Sequence, residues 1–437
     1  MKTSTGHIGV GMGVGLVLAN MIGAGVLLSA GFMAESMGPG EILLSWVFGL
    51  VVALCGTRAY GFVAAVSQKS GGEYRYLTDY LHPFAGFLAG ASSLVLGFAA
   101  PIAVDAIAIG SYASILGAPM PPRFIGAVVV VTLALVHTWG FRTSDRIQNL
   151  LVIGKLLALL AFVAVGFAYG SSAWPTWTPA ETRNSFPVEA FFANQYWIVF
   201  AFAGWNAAIY AAAEFRDPLR DVPRAMFLGC ALVGLLYLLV NWIFVANMTA
   251  EMGRVVYDYE TTRITLGHAI MERLLGTQGA VFASVLVILA FLAAISAMTF
   301  VGPRVYAEMG RDGVLPEFFA GTSEKPPWAA TALQTAIALI FLLRSDVLSA
   351  VGVVGALLML SSAATCLCVF AIHRRPDLPN ASRLDRLAAG AYIFAMSWCI
   401  WLGWSTFGGD VLSVGGVILA AALLFSWRRR RPTVEPR

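Results

Sequence analysis

The sequence predicts an all-α polytopic membrane protein with about 12 transmembrane helices, and three observations support that prediction. The 437 residues are 59% hydrophobic and only 12% charged, with a mean hydropathy of +0.77. An average soluble domain carries about 25% charged residues. Apolar runs long enough to cross about 30 Å of hydrocarbon recur along the whole chain. Two of these runs are interrupted by small residues at corresponding places in the order of segments.

The apolar runs follow one another with no soluble domain between them, so the sequence predicts a single transmembrane domain over residues 1–437. The runs lie at about 8–34, 41–66, 84–116, 123–140, 147–170, 189–213, 225–248, 276–302, 327–343, 347–372, 387–407 and 411–427. They divide into a first five-helix half at about 8–170, a second at about 189–372, and two additional helices at about 387–427. The first run is not followed by a cleavage-type ending and a soluble domain, which indicates a retained helix.

The positive charges predict the orientation of these spans. Twenty of the 28 Lys and Arg residues fall in loops and tails on one side of a twelve-span arrangement, and six fall on the other. Such an excess marks the cytoplasmic side, which places both termini in the cytoplasm and the chain in the plasma membrane. The net charge of +4 therefore reflects orientation and predicts no nucleic-acid partner.

The two interruptions are the segments Asn20–Val26, in the first run, and Phe200–Asn206, in the sixth. Each interior Gly costs a helix roughly 1 kcal/mol relative to Ala, and unwound backbone at membrane depth is tolerated only beside protein or a watery cavity. Interrupted segments in corresponding halves mark the substrate site of many transporters. The pairing therefore predicts a transporter that binds its substrate between the two interruptions.

Backbone polarity predicts what such a site binds. N–H groups at the start of a half-helix suit a carboxylate, and the carbonyls of Met21, Phe200 and Ala203 are candidates for an ammonium group. Two adjacent interruptions thus form a site for a zwitterion without charged side chains. The predicted substrate-binding residues are Met21, Ile22, Gly23, Ala24, Gly25, Phe200, Ala201, Phe202, Ala203, Gly204 and Asn206.

Two ionisable residues within the apolar runs are candidates for coupling. Lys155 lies near the middle of the fifth run, where a charge costs about 2.5–3.5 kcal/mol and should face protein or water. It is predicted to act as a fixed cation that bonds to carbonyls left unpaired by the first interruption, or to exchange a proton during transport. Asp105, in the third run, is a candidate for contact with a substrate amine, for proton coupling, or for pairing with a polar neighbour.

The chemistry-bearing residues give no sign of an enzyme. The five histidines are scattered over different segments without metal-ligand spacing. There is no nucleophile elbow, phosphate loop or dinucleotide fingerprint, and so no cofactor and no metal are predicted. The alternative classes left open are a cationic amino acid or polyamine carrier and, from another class, a membrane receptor or sensor.

Five motifs in order resemble the amino acid–polyamine–organocation superfamily, and most of all its L-type amino acid transporter branch. They are Ile22–Gly25, Ser70–Tyr74, Gly154–Leu159, the sixth-run segment from Phe200 with Pro223-Arg224-Ala225 after it, and Gly310–Pro316. The resemblance implies a LeuT-type 5+5 inverted repeat with helices 1 and 6 unwound at the midplane. It also implies that Phe200 is an aromatic gate, that Asn206 supports the site, and that Lys155 replaces a sodium ion. Ser296 and Thr299 are then possible hydroxyl partners of Lys155.

The sequence also departs from this family pattern. Ala24 stands where a Ser is common, and Phe62 stands where many relatives have Glu. The loop Gly117–Arg123 contains no Cys, which argues against the disulfide-linked heavy subunit of animal relatives and favours a bacterial-type protein in the inner membrane. The expected function is sodium-independent transport of neutral L-amino acids by alternating access, as an exchanger or a proton symporter, with membrane lipid and the amino acid as partners.

Overall fold

The computed structural model describes residues 6, 8–179, 185–249, 251–252, 265–321, 327–344 and 347–404, and the positions 412, 415, 416 and 418. These residues are mostly helical, and the one β-type pairing among them is a parallel bridge between Ile8 and Phe215. The bridge joins the start of the first span to the end of the sixth. The predicted twelfth span, at about 411–427, lies outside the described residues except for those four positions.

The first five predicted spans coincide with helices. They are α1 Val10–Met21, α2 Ala24–Met33, α3 Pro39–Ser67, the loop helix α4 Gly72–Tyr80, α5 Pro83–Ser92, α6 Ala100–Ile115, α7 Pro122–Trp139 and α8 Phe141–Tyr169. A π-helical stretch, Ser93–Ala99, joins α5 to α6, so these two helices form one continuous third span. The first span is split into α1 and α2, as the interruption predicted.

The later predicted spans, up to the eleventh, also coincide with helices. They are α9 Val188–Ala193, α10 Gln195–Phe202, α11 Ala207–Tyr210, α12 Pro218–Asn247, α14 Thr277–Arg311, α15 Trp328–Arg344, α16 Val347–His373 and α17 Arg383–Leu402, with the loop helix α13 Leu266–Leu275 between α12 and α14. Among the described residues, seven helices are long and apolar enough to cross a membrane by themselves. The chain is therefore an all-α polytopic membrane protein, and its interrupted first and sixth spans are those of the LeuT-type fold.

Glycine allows the two interruptions to lie against each other. A Cβ on Gly25 would overlap the Cα of Ala201, so the helix backbones beside the two interruptions approach more closely than any other residue permits. Gly204 has a φ of +102°, a conformation that costs a non-glycine residue energy. A Cβ there would also lie 2.8 Å from the carbonyl carbon of Asn20. These contacts bring the first and sixth spans together at one place.

Helix α12 holds the two interruptions together from outside. Its Tyr237 is completely buried, and the Tyr237 hydroxyl lies 2.6 Å from the Met21 carbonyl oxygen and 3.1 Å from that of Ala201. Both carbonyls lie in the last turn of a helix, where carbonyl oxygens have no N–H partner within the helix. One tyrosine therefore fixes the relative position of the two interrupted spans.

Candidate substrate site between the interrupted helices

A cavity of about 110 Å³ lies between the two interruptions. Its walls come from five spans and from the loop helix α4, and among the described residues no Lys, Arg or His lines it. Most of the lining is apolar or backbone. The lining residues include Asn20, Met21, Gly23, Gly25, Glu73, Phe98, Pro101, Asp105, Phe200, Ala203, Gly204, Asn206, Ala207, Tyr210, Ala294, Met298, Leu357, Leu358 and Ser361.

The start of α2 presents unpaired N–H groups to this cavity. Ile22 and Gly23 have extended backbone, and helix α2 begins at Ala24 without a side-chain cap. The first N–H groups of a helix have no partner within it and carry partial positive charge. A Cβ built on Gly23 would lie 3.7 Å from the Cβ of Ala294, so space remains beside the backbone. This corner of the cavity suits a carboxylate.

Lys155 occupies the other side of the first interruption. Its side chain, 1% exposed, donates hydrogen bonds of 2.8 Å to the Ala19 carbonyl and 2.7 Å to the Ile22 carbonyl. Both oxygens lie at the end of α1, where helical partners are missing and partial negative charge collects. The ammonium group therefore neutralises the carbonyl end of a broken helix, as a bound cation does in transporters of this architecture.

The carbonyls predicted to hold a substrate amine are only partly available. The Met21 carbonyl accepts the Tyr237 hydroxyl, and the Phe200 carbonyl accepts the N–H of Ala203 at 3.2 Å. A carbonyl oxygen has two lone pairs, so each keeps one site. The Ala203 carbonyl makes no hydrogen bond within the described part of the chain, which makes it the most available of the three.

Of five further predicted binding residues, three line the cavity and two do not. Phe200, Gly204 and Asn206 line the cavity. Ala201 and Phe202 do not: Ala201 packs on Gly25, and Phe202 packs on Trp46 and Tyr237. The helical turn before the sixth interruption turns these two side chains away from the cavity, which one sequence could not indicate. The structure does not place either side chain at the cavity, and their direct contact with substrate stays a prediction.

Ile22 and Ala24, the two other predicted residues of the first interruption, contribute backbone atoms to the site. The Ile22 side chain is 1% exposed and does not line the cavity. Its carbonyl contributes to the bond with Lys155 instead. Ala24 is the first residue of α2, so it contributes to the site through its backbone N–H group.

Asp105 brings a carboxylate to the cavity from α6. The residue is 4% exposed and lines the cavity, and no hydrogen-bond donor reaches its carboxylate among the described residues. It is close enough to Lys155 for the two charges to attract each other. A buried carboxylate without a hydrogen-bonded partner is costly, so this oxygen pair is available to a donor in the cavity.

Glu73 is a second acid in the cavity, and the sequence did not single it out. It lies in α4, between the second and third spans, and is 8% exposed. Its carboxylate accepts hydrogen bonds of 2.6 Å from Tyr60, 3.2 Å from Asn206 and 3.2 Å from Ser361. Burial raises the pKa of Glu73, and these three bonds oppose that rise. The motif Ser70–Tyr74 was the only sequence signal for this residue.

The predicted hydroxyl partners of Lys155 lie elsewhere. Ser296 contacts His137 Nε2 at 2.8 Å and donates to the side-chain oxygen of Gln148. Thr299 is buried at 5% exposure, and no hydrogen bond joins it to Lys155 in the described chain. Helix α14 therefore turns Ser296 toward α7 and α8, and backbone carbonyls of α1 take the role predicted for these hydroxyls.

Ion pairs close the side of the cavity on which α4 lies. Arg75 contacts Asp312 at 2.9 Å and Glu308 at 3.3 Å, which ties α4 to the end of α14. Arg304 contacts Glu214 at 2.7 Å and joins α14 to the end of the sixth span. These pairs therefore connect elements that adjoin the cavity.

Comparison with known proteins identifies the class of protein to which this site belongs. The amino acid permease family matches residues 12–427. The chain is 26% identical over 435 residues to the human large neutral amino acids transporter small subunit 2, covering 95% of this chain and 78% of that one. It is 27% identical over 434 residues to the mouse Asc-type amino acid transporter 1, covering 94% and 79%.

A bacterial relative shows the same likeness. The serine/threonine exchanger SteT of Bacillus subtilis is 27% identical over 354 residues, which cover 78% of this chain and 77% of that one. Because the family match spans nearly the whole sequence, the chain belongs to the amino acid permease family. The resemblance inferred from the five motifs is thereby confirmed.

Proposed function

We propose that this protein transports neutral L-amino acids by alternating access without sodium, either exchanging one for another or moving them with protons. The observation that carries the proposal is the pair of interruptions with Lys155 bonded to the Ala19 and Ile22 carbonyls. An immobile ammonium group at this position leaves no role for a sodium ion there. The relatives named above, two transporters of amino acids and one exchanger, support the substrate class.

The cavity offers complementary ends to an α-amino acid. The N–H groups at the start of α2 bind the carboxylate, and the carbonyl of Ala203 accepts the ammonium group. Phe98, Phe200 and Met298 line the rest and favour an uncharged side chain. In this proposal Phe200 closes over the substrate and Asn206, through its bond to Glu73, supports the sixth interruption.

A cationic amino acid or polyamine is the second candidate substrate, and a specific observation favours it. Asp105 and Glu73 line a cavity that, among the described residues, has no Lys, Arg or His in its lining. Glu73 already accepts three hydrogen bonds, so Asp105 is the group that would pair with an added ammonium. The charge of Lys155 opposes such a substrate, which is why the neutral class is preferred.

Flux into proteoliposomes tests the proposal. Purified protein is reconstituted, and uptake of a labelled amino acid panel is measured with and without sodium, a proton gradient and internal substrate. We expect uptake of neutral amino acids that is unaffected by sodium. Absence of flux for every amino acid would sink the transporter proposal and favour a receptor or sensor, while strict sodium dependence would contradict the role of Lys155.

The role of Asp105 is tested by Asp105→Asn in the same assay. If its carboxylate pairs with a donor on the substrate, we expect at least about a tenfold loss of affinity for that substrate, since a hydrogen bond to a charged group contributes about 1.5–3 kcal/mol. Aliphatic substrates should be affected less. Unchanged affinity and selectivity across the panel would assign Asp105 a purely structural role.

We further propose that the protein acts alone in a bacterial inner membrane with both termini in the cytoplasm. The charge bias of the loops supports the orientation, and the absence of Cys from the loop Gly117–Arg123 supports action without a disulfide-linked heavy subunit. The halves at about 8–170 and 189–372 carry the interruptions and move during transport, with two additional helices at about 387–427.

A further inference from the structure

A second, larger cavity is a groove on the outside of the helix bundle, between α3, α12 and α17. It has a volume of about 1010 Å³, roughly nine times that of the substrate cavity. The groove lies among the cytoplasmic-side ends of these helices, by the orientation proposed above. Its walls include both apolar and basic side chains, a combination that the transport function does not use.

Two arginines mark the basic part of the groove. Arg58, on α3, contacts Asp385 Oδ1 at 2.6 Å, and 49% of its side chain is exposed. Arg224, on α12, is exposed and makes no ion pair within the described residues. Asp385 also accepts both the N–H and the hydroxyl of Ser382 as part of a capping box. The described lining of the groove therefore carries a net positive charge, and the one acid in that lining, Asp385, already has partners.

Arg58 lies at a depth where its charge needs a counter-ion. Arg58 is nine residues from the end of α3 at Ser67, which corresponds to about 13 Å of helix. A cation this far inside a span is costly unless it pairs or reaches the interface. Asp385 supplies that counter-charge for Arg58, so the charge of Arg224, just before the seventh apolar run, is left without an ion pair among the described residues.

Apolar side chains continue the groove beyond the arginines. Val51 is 55% exposed, and Phe227 and Leu228 are each 46% exposed. Leu228 lies one helical turn beyond Arg224 on the same face of α12, as Leu54 lies one turn from Arg58 on α3. Each helix thus presents a cation and then an apolar stripe along the groove, in the order in which a phospholipid presents its phosphate and its acyl chains.

We infer that this groove binds an anionic phospholipid of the cytoplasmic leaflet, with its phosphate between Arg58 and Arg224 and an acyl chain along α3 and α12. Basic pockets between transmembrane helices on this side of a membrane bind anionic headgroups. A zwitterionic lipid fits less well, because its ammonium group finds no available acid: Asp385 is held by Arg58 and Ser382. The net positive charge therefore selects the anionic headgroup.

Lipid binding to the purified full-length chain tests this inference without measuring transport. Delipidated protein in mild detergent is titrated with phosphatidylglycerol or phosphatidylcholine, and bound lipids are counted by native mass spectrometry. We expect one phosphatidylglycerol to bind in preference to phosphatidylcholine. Arg224→Gln should weaken phosphatidylglycerol binding about fivefold, since an arginine near the membrane surface contributes about 1 kcal/mol to anionic lipid binding.

The matched control is Arg216→Gln, an exposed arginine just before α12 and outside the groove, which should bind phosphatidylglycerol like the unaltered protein. Arg58→Gln should weaken binding further. If Arg58→Gln fails to fold because Asp385 loses its partner, Arg224→Gln alone decides the question. Equal binding of the two lipids, unchanged binding by Arg224→Gln, equal competition by glycerol phosphate, or a lipid-free dimer as the main species would each overturn the inference.

Discussion

In the proposed function, Lys155 takes the place of a bound ion. Its ammonium group satisfies the Ala19 and Ile22 carbonyls, which would otherwise be buried acceptors without a partner. Each unsatisfied buried acceptor costs about 1–3 kcal/mol. The lysine therefore stabilises the broken end of α1 and sets the charge beside the substrate cavity at the same time.

Replacing Lys155 by Ala should reduce amino acid exchange at least about tenfold, since a hydrogen bond made by a charged group contributes about 1.5–3 kcal/mol. Counterflow in proteoliposomes measures the exchange, and size-exclusion chromatography checks that the protein stays folded. Lys69→Ala is the matched control, because Lys69 is exposed and pairs with Asp79 outside the cavity. Normal exchange by Lys155→Ala would rule out its coupling role.

Glu73 gives the protein a pH-dependent component of stability. Because burial raises the pKa of Glu73, the folded state binds this proton more tightly than the unfolded state. Linkage then makes stability fall as the pH rises from the ordinary carboxyl pKa toward the raised one. Glu73→Gln, which stays neutral, should lose this part of the pH dependence.

Thermal unfolding in detergent from pH 4 to pH 8 measures the effect. The Tm of the unaltered protein should fall with rising pH relative to that of Glu73→Gln. Glu317→Gln is the control, because Glu317 is exposed on the same side of the molecule. Parallel pH profiles for Glu73→Gln and the unaltered protein would contradict the prediction.

At the scale of elements, the interrupted spans depend on close backbone contact more than on side chains. Gly25 lies against Ala201, and Gly204 lies against Asn20. Tyr237 then bonds to a carbonyl of each interruption. The two broken helices therefore form one unit whose geometry is set by α12 and by the absence of Cβ atoms.

Gly25→Ala should destabilise the protein by about 1–3 kcal/mol, the usual cost of overpacking a close contact. Gly15→Ala is the matched control within the same span, because nothing lies within 4 Å of the position that its Cβ would take. That change should be neutral or stabilising, since Ala favours helix by up to about 1 kcal/mol. The Tm of each variant measures its stability. Equal Tm values for the two variants would mean that the close contact at Gly25 does not contribute to stability.

At the scale of the whole molecule, the charge bias predicts its orientation. The five native cysteines are buried or half-buried, so single introduced cysteines can report the side on which a loop lies. Ala118→Cys should react with a membrane-impermeant maleimide in intact cells. Lys69→Cys should react only after the membrane is permeabilised, and the reverse pattern would overturn the proposed topology.

Much of the architecture follows from the sequence because the bilayer imposes simple requirements. Composition fixes the class of protein, and span length and glycine position fix where helices run and break. Lys155 could be singled out from the sequence because a charged residue in the middle of an apolar run raises the free energy of membrane insertion. Each of these features depends on a residue and its near neighbours in the chain, so one sequence contains the information.

The composition of the site was decided only by tertiary structure. In spans that are apolar on all sides, periodicity does not show which face meets the cavity, and the structure turns the side chains of Ala201 and Phe202 away from it. Glu73 lines the cavity because α4 packs against it. Ser296 contacts His137 because that face of α14 packs against α7. These outcomes depend on packing between segments far apart in the chain. The sequence therefore determined the membrane architecture and the paired interruptions, while packing decided which polar groups face the substrate.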